Sequence, residues 1–357
     1  MDLHRFCFQL GTYFPEVHTW DSEKQKLCIK DLLGREEEAD ISTILHDIRQ
    51  VDMLRELPLV PQRSKEWFEL RMNRLTASDL AQAMGRGKFG NRKTLLAKKA
   101  FPDSTPMRML PALKWGTMFE DMGVRCYQQL VNPVKIYDFG LIPHPEINCF
   151  GASPDGITET GIMVEMKCPF IRKCDYQVPE QYYLQIQGQL STCKLQVCDY
   201  VECYYDTYHD ITEYTLMCEE KGNKEHGIIL EFTYKGSDNW TYVYSPENMT
   251  VKECIEWANR EVDTVGEELL FMKMTPWKLK QLFHTRVKFD KELWDSVVPS
   301  IYEFWKDVEN ARARGPLEPI VTTATNPSSR TTKSTLNMAD PVPAKKYRFI
   351  EDSDEEG

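Results

Sequence analysis

Three charged residues close together in the sequence have the types and the spacing to do chemistry. Asp155 lies in a Pro-Asp-Gly turn, and Glu165 and Lys167 lie two residues apart in the apolar run that follows. Side chains two residues apart on a strand project from the same face, so Glu165 and Lys167 are predicted to share one face. A hairpin between the turn and this run brings Asp155 alongside Glu165.

Such a set of side chains suits hydrolysis of a phosphodiester. Two carboxylates at one point repel each other unless a cation lies between them, and a hard divalent ion such as Mg²⁺ takes oxygen ligands. Lys167 is then placed to orient or deprotonate a metal-bound water, so hydrolysis needs no histidine base. Asp-Gly turns and Glu-x-Lys pairs are also common on surfaces. However, residues 162–168 predict an interior strand, where an unpaired Glu or Lys is costly.

The pattern of apolar residues and turn residues predicts the elements around this motif. Extended runs bounded by Pro, Gly or Asn are predicted at 134–142, 147–152, 162–168, 195–205 and 228–234. Helical spacing is predicted at 64–84, 114–130, 179–193, 251–272 and 291–312. This order of helices and strands predicts an α/β core with a central mixed sheet.

One segment of this acidic protein is strongly basic. The 357 residues carry a net charge of −11, whereas residues 61–130 carry 13 basic and 6 acidic side chains, a balance of +7. Encounter with a polyanion depends on the local potential and not on the total charge, so this segment favours an anionic partner. The alternative is an ordinary solvated helix face.

The composition bears on the cellular setting. Eleven cysteines with no secretory signal at the N-terminus predict free thiols in a reducing, intracellular compartment. Hydrophobic residues make up 41% of the chain, enough for a sizeable core, yet no run approaches the ~20 apolar residues of a membrane-spanning helix. We therefore expect no contact with a membrane.

Five sequence elements in a fixed order resemble a known family. The signature Pro154-Asp155…Glu165-x-Lys167 resembles the PD-(D/E)XK nuclease superfamily. The other elements are Trp67-x3-Arg71, Thr76-Ala77-Ser78, Trp115-Gly116-x3-Glu120 and Gln185-x-Gln187. Over about residues 61–205 the set looks like the lambda-phage exonuclease group, the YqaJ-type viral recombinase family, in its large-DNA-virus branch.

The resemblance implies a fold and a domain organisation. The fold would be a restriction-endonuclease-like α/β core, a central mixed sheet flanked by helices, with added N- and C-terminal helices. Residues 1–60 would form an N-terminal helical appendage and residues 61–313 the exonuclease-like domain with its C-terminal helices. Residues 314–357, rich in Pro, Ser and Thr and ending in an acidic run, predict a disordered tail.

The resemblance also implies the metal ligands. Asp155 would bridge two Mg²⁺ ions, with Mn²⁺ as the alternative metal. Glu165 and the backbone carbonyl of Met166 would ligate one ion, and Glu120 would complete the shell. Lys167 would activate or position the attacking water.

Three further roles come from the same resemblance. Gln185 would help to orient the water. Arg71 and Ser78 would hold a 5′-terminal phosphate, in agreement with the basic segment found from charge alone. An arginine offers phosphate a bidentate fork that a lysine lacks.

The implied function is a Mg²⁺-dependent 5′→3′ exonuclease that resects linear double-stranded DNA for viral recombination, replication or repair. The alternatives are an endonuclease of the same superfamily, or a DNA-end-binding or RNA-degrading host shut-off factor. Implied partners are double-stranded DNA ends, a single-strand annealing protein and further copies of the chain in a ring trimer. The added N-terminal 60 residues and C-terminal helices could block or replace the trimer contact, so the sequence does not decide whether the trimer forms. The location would be the host cytoplasm or nucleus.

Overall fold

A computed structural model describes most of the chain. The described residues are 3–25, 41–58, 60–88, 90–102, 110–219, 225–236 and 240–315. They all belong to one unit, Met1–Pro316. The predicted disordered tail lies outside the described residues from position 316 onwards, and the domain boundaries stay predictions.

The strands of the described chain form two sheets. The strands are β1 (Leu75–Thr76), β2 (Ile136–Tyr137), β3 (Ile142–Pro143), β4 (Phe150–Ala152), β5 (Gly156–Thr158), β6 (Met163–Lys167), β7 (Val197–Thr207), β8 (His226–Tyr234), β9 (Trp240–Tyr244) and β10 (Leu269–Lys288). The larger sheet has the order β2-β5-β6-β7-β10-β8-β9, and the smaller one β1-β4-β3.

The larger sheet is mixed. β6 and β7 run parallel, with Glu165 opposite Tyr200, whereas β5 and β6 form an antiparallel hairpin. Strand β6 therefore has a neighbour on each side, and four of its five residues are buried. The predicted interior strand at 162–168 is confirmed, as is the mixed α/β class.

Helices flank the two sheets. The α-helices are α1 (Leu3–Tyr13), α2 (Ile41–Arg55), α3 (Lys65–Met72), α4 (Leu80–Ala83), α5 (Arg92–Ala100), α6 (Pro111–Leu130), α7 (Glu180–Cys193), α8 (Ile211–Glu219), α9 (Val251–Thr264) and α10 (Lys291–Arg314). Helix α7 buries Ile186 and Leu190 in the same apolar cluster as Tyr200 of β7. On the same helix, Gln185 and Gln189 face Glu165 of β6.

The helix predicted at 64–84 is wrong as a single element. Helix α3 begins after Ser64, whose hydroxyl accepts a hydrogen bond from the Trp67 amide at 3.2 Å, and it ends at Met72, just before Asn73. The chain then turns into β1, where the Leu75 amide donates to the Cys149 carbonyl at 2.8 Å. Pairing of β1 with β4 interrupts the helix, and this contact is distant in sequence.

Two other predicted elements also differ from the structure. The extended run at 134–142 divides into β2 and β3, which belong to different sheets. The helix predicted at 251–272 ends at Thr264, and the chain continues as the 20-residue strand β10. Strand β10 pairs with β7 on one side and β8 on the other, so its extended form comes from pairing with distant strands.

Two expectations from composition concern the described residues. Ten of the eleven cysteines lie there, and all ten are free thiols, as predicted. Among those same residues, no helix has the length and apolar character needed to cross a membrane.

Candidate active site

The hairpin of β5 and β6 brings the three charged residues of the motif together. Gly156 pairs with Val164, and Oδ2 of Asp155 accepts the backbone amide of Met166 at 2.8 Å. Nζ of Lys167 forms an ion pair with Oε1 of Glu165. The predicted juxtaposition of Asp155, Glu165 and Lys167 is therefore present in the structure.

The Glu165 carboxylate is fully buried and accepts three hydrogen bonds. Besides Lys167, Gln185 donates to Oε1 at 2.6 Å and Gln189 donates to Oε2 at 2.7 Å. The two glutamines lie four residues apart on α7 and so share one face of the helix. Gln187 lies on another face and donates to the Lys288 carbonyl at 3.1 Å.

Gln189 is a functional candidate that the sequence interpretation missed. The family pattern drew attention to Gln185 and Gln187, although helical geometry separates the faces of residues two apart. The spacing of four between Gln185 and Gln189 is the signal that points to the second glutamine. It becomes informative only once Gln185 is known to face Glu165.

Glu120 approaches this centre from helix α6. Its Oε2 accepts a hydrogen bond from Nη2 of Arg63 at 2.9 Å, a partner that the sequence did not predict. Burial raises the pKa of Glu120, Arg63 and Lys167 oppose the rise, and Glu165 adds to it. Helix α6 contacts the chain just after β6, because the Cys168 thiol lies 3.3 Å from the carbonyl oxygen of Phe119, the residue before Glu120.

Negative charge dominates the electrostatics of this centre. Burial, and after it the Glu165 carboxylate, hold the pKa of Asp155 well above its usual range. Burial disfavours the charged form of Lys167, but Glu165 and Asp155 outweigh burial and raise the lysine's pKa above its usual range. When ionised, the three carboxylates of Asp155, Glu165 and Glu120 carry more negative charge than the cations of Lys167 and Arg63 balance.

The oxygen donors present suit a hard divalent cation. Carboxylates that lie close together are stabilised by a cation between them, and Mg²⁺ and Mn²⁺ prefer such ligands. The described residues contain no group of three or more His, Cys, Asp or Glu gathered as a ready metal site. In the structure the Glu120 carboxylate accepts a hydrogen bond from Arg63. The Glu165 carboxylate accepts hydrogen bonds from Lys167 and from the side-chain amides of Gln185 and Gln189. The ligand roles, including that of the Met166 carbonyl, stay predictions.

The predicted phosphate ligands also lie together. Nη2 of Arg71, on α3, donates to the Ser78 hydroxyl at 3.1 Å and to the Thr76 hydroxyl at 3.4 Å. The Arg71 guanidinium lies over the Trp67 ring at 4.3 Å. Ser78 is exposed and Trp67 is largely buried, so the hydroxyl is open to a ligand while the indole packs in the interior.

A buried ion pair between Lys99 and Asp79 lies next to Arg71. Lys99 is 2% exposed, and its Nζ lies 3.0 Å from Oδ2 of Asp79 and donates to the Arg71 carbonyl at 2.8 Å. Burial alone would raise the pKa of Asp79, but Lys99 and Arg71 outweigh burial and lower it. We call Arg71, Thr76, Ser78, Asp79 and Lys99 the arginine pocket.

Part of the basic segment has structural partners. Arg92 lies 2.6 Å from Asp307 of α10, and Arg86 lies 3.5 Å from Glu180 at the start of α7. Lys99 is buried in the arginine pocket. The charge excess of residues 61–130 therefore does not correspond to one exposed basic face, and Arg71 is the residue whose surroundings best suit an anion.

Fold and site define the chain as an α/β protein with a carboxylate–lysine centre on its sheet. Residues 66–196 match the family described as the YqaJ-like viral recombinase domain. Over that region the chain is similar to this family, as the motifs predicted.

Two viral proteins are similar in sequence. One, from Acanthamoeba polyphaga mimivirus, is 25% identical over 304 aligned residues, which cover 73% of this chain and 55% of that protein. The other, from African swine fever virus, is 27% identical over 158 residues, covering 36% of this chain and 46% of that protein. The chain spans about half the length of the curated relatives it matches.

Solved structures of exonucleases show a distant likeness. An alkaline exonuclease from Laribacter hongkongensis superposes with a TM-score of 0.44 at 20% identity, over 70% of this chain and 95% of that one. A phage-related exonuclease from Haemophilus somnus gives a TM-score of 0.39 at 9% identity, over 68% of this chain and 96% of that one.

Proposed function

We propose that the chain is a Mg²⁺-dependent deoxyribonuclease, a 5′→3′ exonuclease that resects linear double-stranded DNA in viral recombination, replication or repair. One observation carries the proposal: a carboxylate–lysine centre and an arginine pocket lie in the same unit and are joined by side-chain contacts. The Trp67 indole, which stacks on Arg71, donates to the hydroxyl of Ser153, two residues before Asp155. The viral recombinase domain supports the same conclusion.

The carboxylates are the proposed ligands of the metal. Asp155, Glu165 and Glu120, with the Met166 carbonyl, would hold two Mg²⁺ ions, and Mn²⁺ would substitute. When bound, divalent ions supply a nucleophilic water at neutral pH and stabilise the charge that develops on the phosphate oxygens. Gln185 and Gln189 hold the Glu165 carboxylate in one orientation, since each oxygen has an amide donor.

Lys167 is the proposed partner of the attacking water. In the structure Glu165 and Asp155 raise the pKa of Lys167, and its ammonium pairs with Glu165. At this place the lysine would position or activate the attacking water. Gln185, which shares Oε1 of Glu165 with Lys167, fixes the lysine's acceptor.

The arginine pocket is the proposed binding site of the 5′-terminal phosphate. Arg71 offers two N–H groups to phosphate oxygens, and Ser78 adds a hydroxyl donor. Binding of a terminal phosphate requires a DNA end, which favours an exonuclease over an endonuclease. Double-stranded DNA ends are therefore the proposed partners, while the annealing protein, the ring trimer and the host compartment stay predictions.

The experiment that tests this function compares three DNA substrates in Mg²⁺. They are a 5′-phosphorylated linear duplex, a 5′-hydroxyl linear duplex and a closed circular plasmid. We expect rapid loss of the phosphorylated linear duplex, slower loss of the hydroxyl duplex and an intact circle. Lys167→Ala is expected to abolish cleavage.

A matched variant separates chemistry from folding. Lys114→Ala also removes a lysine that pairs with a buried glutamate, because Lys114 lies 2.6 Å from Glu231, whose side chain is 3% exposed. It should keep cleavage. Nicking of the circle would replace the proposal with an endonuclease. Bound but uncut DNA ends in every metal would replace it with an end-binding factor.

A further inference from the structure

Residues 62–71, which include most of α3, contact both the arginine pocket and the carboxylate–lysine centre. The C-terminal end of this segment carries Arg71 of the arginine pocket. At its near end, Nε2 of Gln62 donates to the Pro154 carbonyl at 3.2 Å, and the Trp67 indole donates to the Ser153 hydroxyl at 3.1 Å. Both acceptors immediately precede Asp155, so the segment is attached to the turn that presents a candidate metal ligand.

Trp67 contacts its partners in two directions. Its ring lies under the Arg71 guanidinium, four residues and one helical turn later, and its N–H reaches Ser153. The indole is 9% exposed, which leaves it little freedom to move.

The backbone carbonyl of Ser153 is connected to the carboxylates through Gln189. The Ser153 carbonyl accepts Nε2 of Gln189 at 3.4 Å, and the same amide nitrogen donates to Glu165 at 2.7 Å. A continuous set of contacts therefore runs from Arg71 through Trp67, Ser153 and Gln189 to Glu165. Rigid helix geometry and packed side chains fix the separation of its two ends.

We propose that Trp67 and Ser153 are positioning residues that set the distance between the arginine pocket and the carboxylate centre, so that one DNA end engages both at once. The inference rests on the proposed function, because it takes a phosphorylated DNA end as the ligand. Two contacts on one ligand reinforce each other only when their spacing fits. Loosening the Trp67–Ser153 contact would remove this cooperation between the two sites. The side chains that contact DNA in the arginine pocket and in the carboxylate centre would still be present.

Two variants loosen the contact while sparing the groups that touch DNA. Ser153→Ala removes the hydroxyl acceptor but keeps the backbone carbonyl that Gln189 uses. Trp67→Phe removes the N–H donor but keeps an aromatic face beneath Arg71. Because the two changes act on opposite sides of one hydrogen bond, they should have the same effect.

The test measures binding in Ca²⁺ instead of Mg²⁺. Fluorescence anisotropy gives the Kd of a 5′-phosphorylated and of a 5′-hydroxyl duplex, each in Ca²⁺ and in EDTA. In the wild type we expect the advantage of the phosphorylated end to be about tenfold greater in Ca²⁺ than in EDTA, within the usual range of coupling between sites. In Ser153→Ala and Trp67→Phe the two advantages should become equal.

The control is Trp277→Phe. Trp277 is 5% exposed, and its indole N–H has no hydrogen-bond partner among the described residues, so the same replacement removes no such contact. It should keep the coupling. Melting temperatures of all four proteins show whether each is folded, and Ser153→Ala, the smaller change, decides the matter if Trp67→Phe is unstable.

Two results would overturn the inference: no coupling in the wild type, or full coupling in Ser153→Ala. Cleavage in Mg²⁺ is recorded separately. A wild type that couples the two sites without cutting DNA would contradict the proposed function and keep the spacing role. A wild type that cuts DNA without coupling would do the reverse.

Discussion

The carboxylate centre and the arginine pocket are opposite in charge. Around Asp155 the described carboxylates exceed the cations, and the pKa of Asp155 lies well above its usual range because of burial and then Glu165. Around Asp79 the described cations exceed the carboxylates, and Lys99 and Arg71 lower its pKa despite burial. Two aspartates in one chain thus have their pKa values shifted in opposite directions.

This contrast indicates what each site lacks. A centre with excess negative charge is stabilised by a cation, and a pocket with excess positive charge is stabilised by an anion. A metal ion and a terminal phosphate would each complete one of the sites. The comparison can be broken by neutralising either aspartate, since the two changes should act on stability with opposite signs.

The largest expected effect is that of Asp155→Asn on cleavage. Asp155 is a proposed metal ligand, and a neutral amide binds divalent cations more weakly than a carboxylate. Because a bound metal would contribute several kcal/mol to stabilising the transition state, cleavage in Mg²⁺ should fall at least about a thousandfold. Without metal the same variant should melt at a higher temperature, because it removes an ionised carboxylate that the folded chain disfavours. Cleavage rates and thermal melts in EDTA measure the two effects.

Asp79→Asn is the matched change in the arginine pocket. It leaves Lys99 buried without its charged partner, so its melting temperature in EDTA should fall. If both asparagine variants shift the melting temperature in the same direction, the charge contrast between the two sites is wrong.

The second prediction concerns the lysine that supports the pocket. Lys99→Met keeps the length of the side chain but leaves Asp79 without its nearest cation and the Arg71 carbonyl without a donor. Breaking such a buried pair costs about 3 kcal/mol, which lowers Tm by about 5 °C in a domain of this size. Calorimetry measures the shift. Lys98→Met, a change at the exposed neighbouring lysine, should leave Tm unchanged, and equal effects would refute the role of Lys99.

Local sequence determines much of the carboxylate centre. Asp155, Glu165 and Lys167 lie within 13 residues, on a hairpin whose period of two fixes which side chains meet. That is why their juxtaposition followed from the sequence. The partners of the centre do not follow from the motif, because Arg63 comes from before α3 and Gln189 lies one helical turn after Gln185 on α7.

Long-range contacts explain most of what the sequence did not show. The first residues of strand β10 continue the helical pattern predicted for residues 251–272, and pairing with β8 makes them extended. Lys99 looks like one of several lysines of an exposed basic helix, yet its Nζ reaches Asp79 twenty residues earlier. Charge counting along the chain treated it as exposed, and burial reverses that interpretation.

The third prediction uses the pH dependence of metal binding. Asp155 and Glu120 have raised pKa values, so at these two carboxyl groups the folded chain binds more protons than the unfolded chain. Their ionisation therefore costs stability as pH rises from the unfolded pKa through the folded one. Ca²⁺ should offset this cost at pH 8, with a stabilisation of about 2.7 kcal/mol at a hundredfold excess over Kd.

Protons compete with the metal, so the thermal shift in Ca²⁺ should shrink as pH falls towards 5. Asp155→Asn should lose most of the shift at both pH values, and NaCl of equal ionic strength should not reproduce it. A shift that grows at low pH would contradict the assignment of these carboxylates as the metal site.

The smallest expected effect is that of Arg63→Ala. Arg63 and Glu120 are both partly exposed, and such a pair contributes about 1 kcal/mol or less to stability, so Tm should hardly change. Because the guanidinium occupies an oxygen of a candidate metal ligand, its removal should instead strengthen Mn²⁺ binding by up to about fivefold, the equivalent of 1 kcal/mol. Arg55→Ala, which breaks the exposed pair with Asp52 far from the carboxylates in sequence, is the control for Mn²⁺ titration calorimetry. Weaker Mn²⁺ binding in Arg63→Ala would mean that the arginine supports the carboxylate centre and does not compete with the metal for it.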